Sequence, residues 1–387
     1  MPFLGPQLLW YQLRQMRFEK PTRLDGRLWV NANLPPLGSM AHQRALEGLA
    51  RMRQGEKPLL SLCLALTARC PMSCFYCSAK TYAPGPELTT NRLTDLISEA
   101  RQLGAYTVSF TGGEPMLRDD LAELVAASRD MVTLLFTSGY AFPEIARPLK
   151  DAGLDVVVIS LDTFDEETYC RRRGHPQAFR IALDAVHAAI DAGFYTALGM
   201  MLDESMLSTE AFDAFIEQAA SLGVHEVRPL GPRPCLALGR ENTHILTRAQ
   251  TDLVASHARR LSRRADLPTV LSLDLLEYPE QQGCIGGSVY YFVTSTGDVT
   301  PCEFAPLSFG NVNNLSLADI HARMTRSFPQ PLPHCPLTDM YRLTTDVPDN
   351  DLPVQDLDRS ERHMRQLRTT DQPLPGFWRA LLAHKTP

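Results

Sequence analysis

The sequence predicts an α/β fold: a parallel sheet curled into a partial (βα)6 TIM-like barrel, followed by a small β-hairpin and helix domain. The first observation is an alternation, from about residue 59 to 230, of short apolar runs with amphipathic stretches. The second is a glycine that closes several of these stretches, as at Gly104 and Gly153. The third is a later Gly-Asp turn flanked by alternating residues, which predicts a hairpin. Six strands favour an open barrel over the eight of a closed one.

Length and composition set the class. A chain of 387 residues with 44% hydrophobic content predicts a globular protein with one large domain and a smaller appended one. A net charge of -6 argues against general nucleic-acid binding, which needs a basic surface. No apolar run approaches the roughly 20 residues that span a bilayer. The sequence lacks a secretory signal at its start and contains nine cysteines, several of them clustered. We therefore expect a cytoplasmic protein whose clustered thiols bind metal.

Residues 1–57 predict an N-terminal helical extension. Apolar residues from Leu8 to Phe18 have helical spacing, and the segment carries nine Lys/Arg against four Asp/Glu. One interpretation is a helix packed on the main domain. The other is that residues 1–20 contact an anionic membrane surface peripherally, or a greasy substrate. A second helix is expected at about 40–54.

Residues 58–235 predict the partial barrel. Its strands are expected at 60–66, 106–110, 132–137, 155–161, 195–202 and 225–230, and its helices near 90–103, 119–129, 142–152, 177–192 and 208–222. In this architecture the chemistry collects at the C-terminal ends of the strands.

Three regions follow the barrel. Residues 236–283 predict a linker with a helix near 247–263 and a strand at 269–274. Residues 284–340 predict the hairpin and a helix near 316–327. Residues 341–387, rich in Asp, Arg and Pro, predict a tail that wraps the surface without a core of its own.

Three cysteines lie in one loop directly after the first strand. Cys70, Cys74 and Cys77 have the spacing C-x3-C-x2-C, which lets one loop bring three sulfurs to a single centre. The alternatives are a structural zinc site, which more often uses paired C-x2-C elements, and unrelated core thiols.

This spacing, with Tyr76 before the last cysteine, resembles the radical S-adenosylmethionine (SAM) superfamily. The resemblance implies a [4Fe-4S] cluster on the three cysteines, with SAM at the open iron. It further implies reductive cleavage of SAM to a 5′-deoxyadenosyl radical, and a flavodoxin- or ferredoxin-type electron donor.

Other stretches resemble the same family in order. The Gly-Gly-Glu element after the second strand implies a grip on the methionine amino group; two glycines also allow a close approach, and alone predict only a tight turn. Ser138 stands where relatives carry Asn. Ser160 and Asp162 end the fourth strand, although a strand-end serine also caps helices. Of three consecutive arginines expected on a surface loop, we choose Arg173 as the partner of the SAM carboxylate. The implied cofactor-binding residues are Tyr76, Gly112, Gly113, Glu114, Ser138, Ser160, Asp162 and Arg173; no catalytic residue is assigned.

A second cysteine set surrounds the hairpin. Cys284 and Cys302, with Gly297 between them, resemble the first half of the auxiliary-cluster module called SPASM, or its shortened form, Twitch. Since only Cys335 follows, the resemblance implies one auxiliary [4Fe-4S] cluster on these three residues. Cys235, His334 or substrate is left as the fourth ligand; a vestigial hairpin without a cluster is the alternative. Cys63 and Cys170 are expected to be core or surface thiols.

The substrate is predicted from what precedes the barrel. The N-terminal segment does not resemble the leader-binding domain of many peptide maturases, so we expect a small-molecule or lipid-like biosynthetic substrate. The alternative is a maturase of a ribosomally made peptide or protein. A non-catalytic iron–sulfur binding or sensing protein is a third class, which the Gly-Gly-Glu element disfavours.

Overall fold

A nine-stranded sheet organises the protein, in a computed structural model that describes residues 19–81, 84–235, 238, 245–348, 351–367 and 371–383. The helix expected between Leu8 and Phe18 lies outside the described residues. A two-stranded antiparallel hairpin precedes the sheet and was not predicted. The strands are β1 Thr22–Leu24, β2 Arg27–Trp29, β3 Ser61–Ala65, β4 Thr107–Thr111, β5 Val132–Thr137, β6 Val156–Ser160, β7 Tyr195–Met201, β8 Glu226–Leu230, β9 Thr269–Val270, β10 Tyr290–Val293 and β11 Val299–Thr300.

The sheet confirms the predicted partial barrel. Its order is β11-β10-β3-β4-β5-β6-β7-β8-β9, so the six predicted strands lie side by side in chain order. All neighbours are parallel except β10 and β11, which form the predicted hairpin around Gly297. Because β10 pairs with β3, the hairpin extends the barrel sheet itself. The domain boundaries given above stay a prediction.

The helices largely follow the expected positions. They are α1 Met40–Arg53, α2 Thr90–Leu103, α3 Leu121–Ala127, α4 Phe142–Ala152, α5 Glu166–Arg173, α6 Ala178–Asp191, α7 Thr209–Ser221, α8 Arg248–Leu261, α9 Leu273–Leu276, α10 Leu317–Ser327, α11 Leu337–Leu343, α12 Leu357–Gln366 and α13 Gly376–Leu382. Two expectations are wrong. The segment 166–173 is a helix, begun by Asp165 accepting from the Thr168 amide at 2.8 Å. The strand expected at 269–274 stops after two residues and gives way to α9.

The two faces of the sheet have different partners. One face carries side chains such as Leu62 and Val157, which join the main core beneath the helices. The other face, at the N-terminal ends of β5 to β7, packs against Trp29, Ala32 and Ala41 of the N-terminal segment. The N-terminal segment therefore covers one end of the barrel interior and leaves the C-terminal ends of the strands for the site.

A buried charge network secures this covered end. Glu226 accepts from the Ala32 amide at 2.8 Å, the Tyr195 hydroxyl at 3.0 Å and Arg228 at 2.7 Å. A buried carboxylate with several donors is stable where an unpaired one would not be.

The C-terminal tail packs on the barrel. Trp378 and Leu381 of α13 form an apolar cluster with Leu60 and Val289 beside β3 and β10. Helix α13 of the tail thus shares an apolar cluster with the barrel, and that the tail has no core of its own stays a prediction. Among the described residues, no helix is both long and apolar enough to cross a membrane.

Candidate functional site

The loop after β3 brings three thiols close together. Cys74 is buried, and Cys70 and Cys77 are half-buried. Burial, together with the negative charges of Glu114 and the other two thiols, raises the pKa of Cys70 to about 11, against a hydrogen bond from the Met72 amide that lowers it. Burial, and then Cys74, also raise the pKa of Cys77. Electrostatically, this loop favours a cationic centre that would balance the thiolates.

Arg173 and Asp162 form a buried ion pair against this loop. Arg173 Nη2 lies 3.0 Å from Asp162 Oδ2, and Arg173 Nη1 lies 3.7 Å from Cys74 Sγ. The same Asp162 oxygen accepts from the Tyr76 hydroxyl, while its other oxygen accepts from the Met201 amide at 3.0 Å. The structure therefore connects three residues predicted from separate motifs to the middle cysteine.

The three arginines do not lie on a surface loop, as was expected. They form the last turn of α5, and they differ in their surroundings. Arg171 is exposed and pairs with Glu167, whereas Arg172 pairs with Asp203. Arg173 is only 6% exposed. The choice of Arg173 among the three thus agrees with its burial.

Gly112 and Gly113 let the β4 loop approach the cysteine loop closely. A Cβ atom on Gly113 would lie 2.1 Å from the Arg69 carbonyl oxygen. The Gly113 amide donates to Thr67 O at 2.7 Å, and the Glu114 amide donates to Arg69 O at 2.8 Å. A side chain at position 113 would therefore separate two loops that are held together by backbone hydrogen bonds.

Glu114 is fully buried and is held by its own neighbours. Its carboxylate accepts from Thr137 Oγ1 at 2.7 Å, from the Ser138 amide at 2.9 Å and hydroxyl, and from the Met116 amide at 3.3 Å. Burial raises its pKa, and these hydrogen bonds oppose the rise. Glu114 and Ser138 were predicted as separate SAM contacts; here one fixes the other, joining the ends of β4 and β5.

Ser160 is the last residue of β6, two positions before Asp162, and it is half-buried. Its carbonyl oxygen accepts from the Tyr169 hydroxyl of α5. The helix cap considered for Ser160 is instead supplied by Asp165.

The second cysteine set is assembled from three separate segments. Cys284 pairs with Leu332 in a short antiparallel bridge, which brings the 335 segment alongside. The Cys284 and Cys335 side chains share a hydrogen bond, which raises the pKa of Cys284 and, together with Arg233, lowers that of Cys335 to about 6. The pKa of Cys302 is raised by burial, then by Glu303 and Cys335. The three predicted auxiliary ligands therefore share one environment.

Charged groups that the sequence did not single out surround this set. Arg233 Nη2 lies 3.0 Å from Asp274 Oδ1 and 2.8 Å from Glu277 Oε2. Burial raises the pKa of Glu277 to about 8, although Arg233 opposes the rise. Glu303 accepts from the Tyr290 hydroxyl at 2.9 Å. Glu303 directly follows Cys302 in the sequence. Arg233, Asp274 and Glu277 have no motif spacing to the cysteines, so only the fold places them here.

The two candidate fourth ligands lie in different places. Cys235 donates to Tyr76 O at 3.8 Å and has Cys77 as its charged neighbour, so it accompanies the first cysteine set. His334 is exposed and borders a cavity of about 280 Å³ together with Cys335 and Arg233. The loop from Gly231 to Cys235 thus reaches the first set at one end and borders the second set at Arg233.

Donor chemistry and nearby polar atoms fit iron–sulfur clusters and SAM. Within the described ranges, no group of three His, Cys, Asp or Glu side chains is arranged to hold a single metal ion. The fit rests on two thiol sets, since thiolates are the usual ligands of iron–sulfur clusters. It also rests on Arg173 Nε, a buried donor without a hydrogen-bond partner in the structure. Such an atom suits an anionic ligand group.

Fold and site together define an iron–sulfur enzyme built on a partial barrel. Residues 64–225 match the radical SAM superfamily, and residues 284–335 match the iron–sulfur cluster-binding domain SPASM. The chain is therefore a radical SAM enzyme with a C-terminal SPASM domain. These domains imply a [4Fe-4S] cluster with SAM, and auxiliary iron–sulfur binding.

Solved structures with the same fold are distant in sequence. SuiB of Streptococcus suis bound to precursor peptide SuiA is 14% identical with a TM-score of 0.56, over 83% of this chain and 77% of that one. Histidine-tagged anSMEcpe with bound AdoMet is 13% identical with a TM-score of 0.56, over 81% and 97%. Native anSMEcpe with AdoMet and the Cp18Cys peptide is 15% identical with a TM-score of 0.54, over 68% and 80%. These likenesses show the fold.

Proposed function

We propose that this enzyme is a radical SAM maturase that abstracts hydrogen from a residue of a ribosomally made peptide or protein. The observation that carries the proposal is the cavity at the C-terminal end of β8, which borders Cys335 of the auxiliary set. Two structural neighbours, SuiB and anSMEcpe, are peptide-bound in their solved forms, which supports the same class of substrate. Both observations favour a peptide over the small-molecule or lipid-like substrate that was expected from the sequence.

The size of the cavity is compatible with part of a larger substrate. Its volume of about 280 Å³ lies close to the lower limit of the range of about 300–1,000 Å³ that is usual for ligand sites. One or two side chains of a peptide would fit such a space, while the rest of the chain would lie outside it.

The cavity has both charged and apolar walls. Arg233 and Glu277 form one side as an ion pair, and Tyr278 and His334 also border the space. A peptide group placed here would lie against Cys335, and the loop that carries Arg233 continues to Cys235 beside the first set. One short loop would thus position substrate with respect to both cysteine sets.

The protein's part in this chemistry is positioning and shielding. The SAM-bound cluster would supply the 5′-deoxyadenosyl radical. Gly112 and Gly113 permit the close approach of the β4 loop, and Glu114 holds that loop against Ser138. Burial of Asp162 and Arg173 keeps water from the polar atoms beside Cys74.

The test uses peptides encoded by reading frames next to the gene. Anaerobically reconstituted enzyme, SAM and dithionite are incubated with each peptide, and the peptide mass is measured. The proposal expects one peptide to change mass and to accelerate 5′-deoxyadenosine release. Conversion of a metabolite extract, with no peptide in the set changed, would replace it with the small-molecule function.

A matched pair of variants shows whether the cavity is used. Arg233→Gln removes a buried cation that borders the cavity, whereas Arg264→Gln removes an exposed one that pairs with Glu217 and Asp266. The proposal expects a raised KM for the peptide in the first variant only.

Two further parts of the proposal concern partners. We expect a flavodoxin- or ferredoxin-type protein to supply the electron. Peripheral contact of residues 1–20 with an anionic membrane stays a prediction, because residues 1–18 lie outside the described residues. Deleting residues 1–20 should release the protein from anionic vesicles, and a full-length chain that never binds them would contradict it.

A further inference from the structure

We propose that Arg173 is a positioning residue for the SAM cluster, which raises the cluster's reduction potential by hydrogen-bonding the middle cysteine, and that Asp162 moderates this effect. This role is separate from the contact with the SAM carboxylate expected above, and it does not depend on the identity of the substrate. It concerns a property of the cluster that can be measured without turnover.

The first support is the direct contact with the ligand sulfur. Arg173 Nη1 lies 3.7 Å from Cys74 Sγ, and both side chains are buried. Arg173 is thus a charged group within hydrogen-bond distance of that sulfur. Hydrogen bonds to cluster sulfurs and the net charge around them are the main protein controls of potential. A buried guanidinium here stabilises the reduced cluster, which carries one more negative charge.

The second support is that the guanidinium has a fixed position. The guanidinium carbon lies over the rings of Tyr76 and Tyr169, at 5.5 Å and 5.0 Å from the ring centres. The backbone of the same residue accepts from the Ser73 amide at 2.7 Å. Side chain and backbone of Arg173 therefore both hold the cysteine loop, on either side of the peptide bond that joins Ser73 to Cys74.

The third support is the partner of opposite charge. Asp162 accepts from Arg173 Nη2 at 3.0 Å and from the Tyr76 hydroxyl. Asp162 therefore contacts the cysteine loop through the neutral hydroxyl of Tyr76, the residue before Cys77. Arg173 instead contacts the loop at the sulfur of Cys74. Removing Asp162 would leave the positive charge of Arg173 less compensated. The two residues should therefore act on the potential in opposite directions.

The experiment is a redox titration of the full-length, reconstituted protein, followed by electron paramagnetic resonance. The SAM cluster is identified as the reduced signal that changes when SAM is added, which separates it from auxiliary signals. Five proteins are compared: wild type, Arg173→Gln, Arg173→Lys, Asp162→Asn and Arg171→Gln. Arg171 is the matched control, since it lies on the same helix but is exposed and paired with Glu167.

Opposite shifts are expected. In Arg173→Gln the ratio of reduced to oxidised SAM cluster at a fixed potential should fall at least tenfold, which equals about 59 mV for a one-electron couple. In Asp162→Asn the midpoint should rise, and in Arg171→Gln it should match wild type. Arg173→Lys, which keeps the charge, should restore most of the potential.

Several results would overturn the proposal. An unchanged midpoint in an iron-replete Arg173→Gln protein would reduce Arg173 to a packing role. Midpoint potentials that shift in the same direction in Arg173→Gln and Asp162→Asn would also contradict an electrostatic role of Arg173. If Arg173→Gln incorporates no iron, Asp162→Asn decides alone: a raised midpoint supports the proposal, and an unchanged or lowered one refutes it. None of these results bears on whether the substrate is a peptide.

Discussion

The two cysteine sets differ in how the chain builds them and in the charges around them. The first comes from eight consecutive residues after β3, and a buried cation, Arg173, contacts its middle sulfur. The second joins positions 284, 302 and 335, where the cation Arg233 is accompanied by the carboxylates Glu277 and Glu303. One site is a local motif, whereas the other forms only where three separate segments of the chain meet. Two sets of ligands with the same thiol chemistry can therefore depend on different parts of the fold.

The surroundings also separate the tasks of the two sites. At the first set, polar groups such as Glu114 and Asp162 are buried and fully engaged by donors. At the second set, an ion pair borders an accessible cavity. We therefore expect the first site to respond to changes in the fixed network and the second to respond to substrate.

The largest expected effect is at the first set. Cys74→Ala should lower the iron content of anaerobically reconstituted protein from about eight to about four atoms per chain. The reason is that the auxiliary cysteines are untouched by the change. Iron analysis checks this, with Cys170→Ala as the control because that thiol lies on α5 and donates to Pro176 O. Retention of eight irons by Cys74→Ala would remove the assignment.

The corresponding change at the second set should separate cleavage from product formation. Cys302→Ala is expected to keep about four irons and to keep SAM cleavage, while peptide modification falls by at least about 100-fold, or roughly 2.7 kcal/mol in the barrier. Iron content, 5′-deoxyadenosine and peptide mass are measured on the same sample. Full peptide modification by this variant would show that the auxiliary set is dispensable.

A smaller effect is expected from substituting one glycine near each cysteine set. An added Cβ would lie 2.1 Å from Arg69 O at Gly113, but 3.0 Å from Pro301 O at Gly286. Gly113→Ala should therefore displace backbone and weaken SAM binding about tenfold, or about 1.4 kcal/mol, while Gly286→Ala leaves SAM affinity unchanged. Calorimetric titration with SAM compares them. Equal affinities in both variants would argue against a role of the β4 loop in SAM binding.

The smallest effect is a difference in thiol reactivity. In iron-free protein, the thiolate of Cys335 should form as the pH rises through about 6, since Cys284 and Arg233 lower the pKa of this thiol. Alkylation by iodoacetamide, read by mass spectrometry, should mark Cys335 before Cys284 and Cys302 near neutral pH. Arg233→Gln should raise the pH at which half of Cys335 is ionised, and Arg248→Gln should leave that pH unchanged. Uniform alkylation of the three thiols would contradict this electrostatic picture.

Local patterns predicted what depends on local geometry. The cysteine loop, the paired glycines and the six barrel strands follow from spacing and periodicity. The helix that carries Arg173 was missed because three arginines and two glutamates in eight residues leave little apolar periodicity. The pairing of β10 with β3 joins residues more than two hundred positions apart, which no local pattern encodes. For the same reason, Glu277 and Arg233 could not be placed beside Cys335.

We assign the SAM site to Cys70, Cys74 and Cys77 and not to the later cysteines. The most direct measurement is 5′-deoxyadenosine release from SAM with dithionite, compared among wild type, Cys74→Ala and the triple variant Cys284→Ala, Cys302→Ala and Cys335→Ala. We expect release by wild type and the triple variant, and none by Cys74→Ala. Release by Cys74→Ala, or its absence from the wild-type protein, would contradict this assignment.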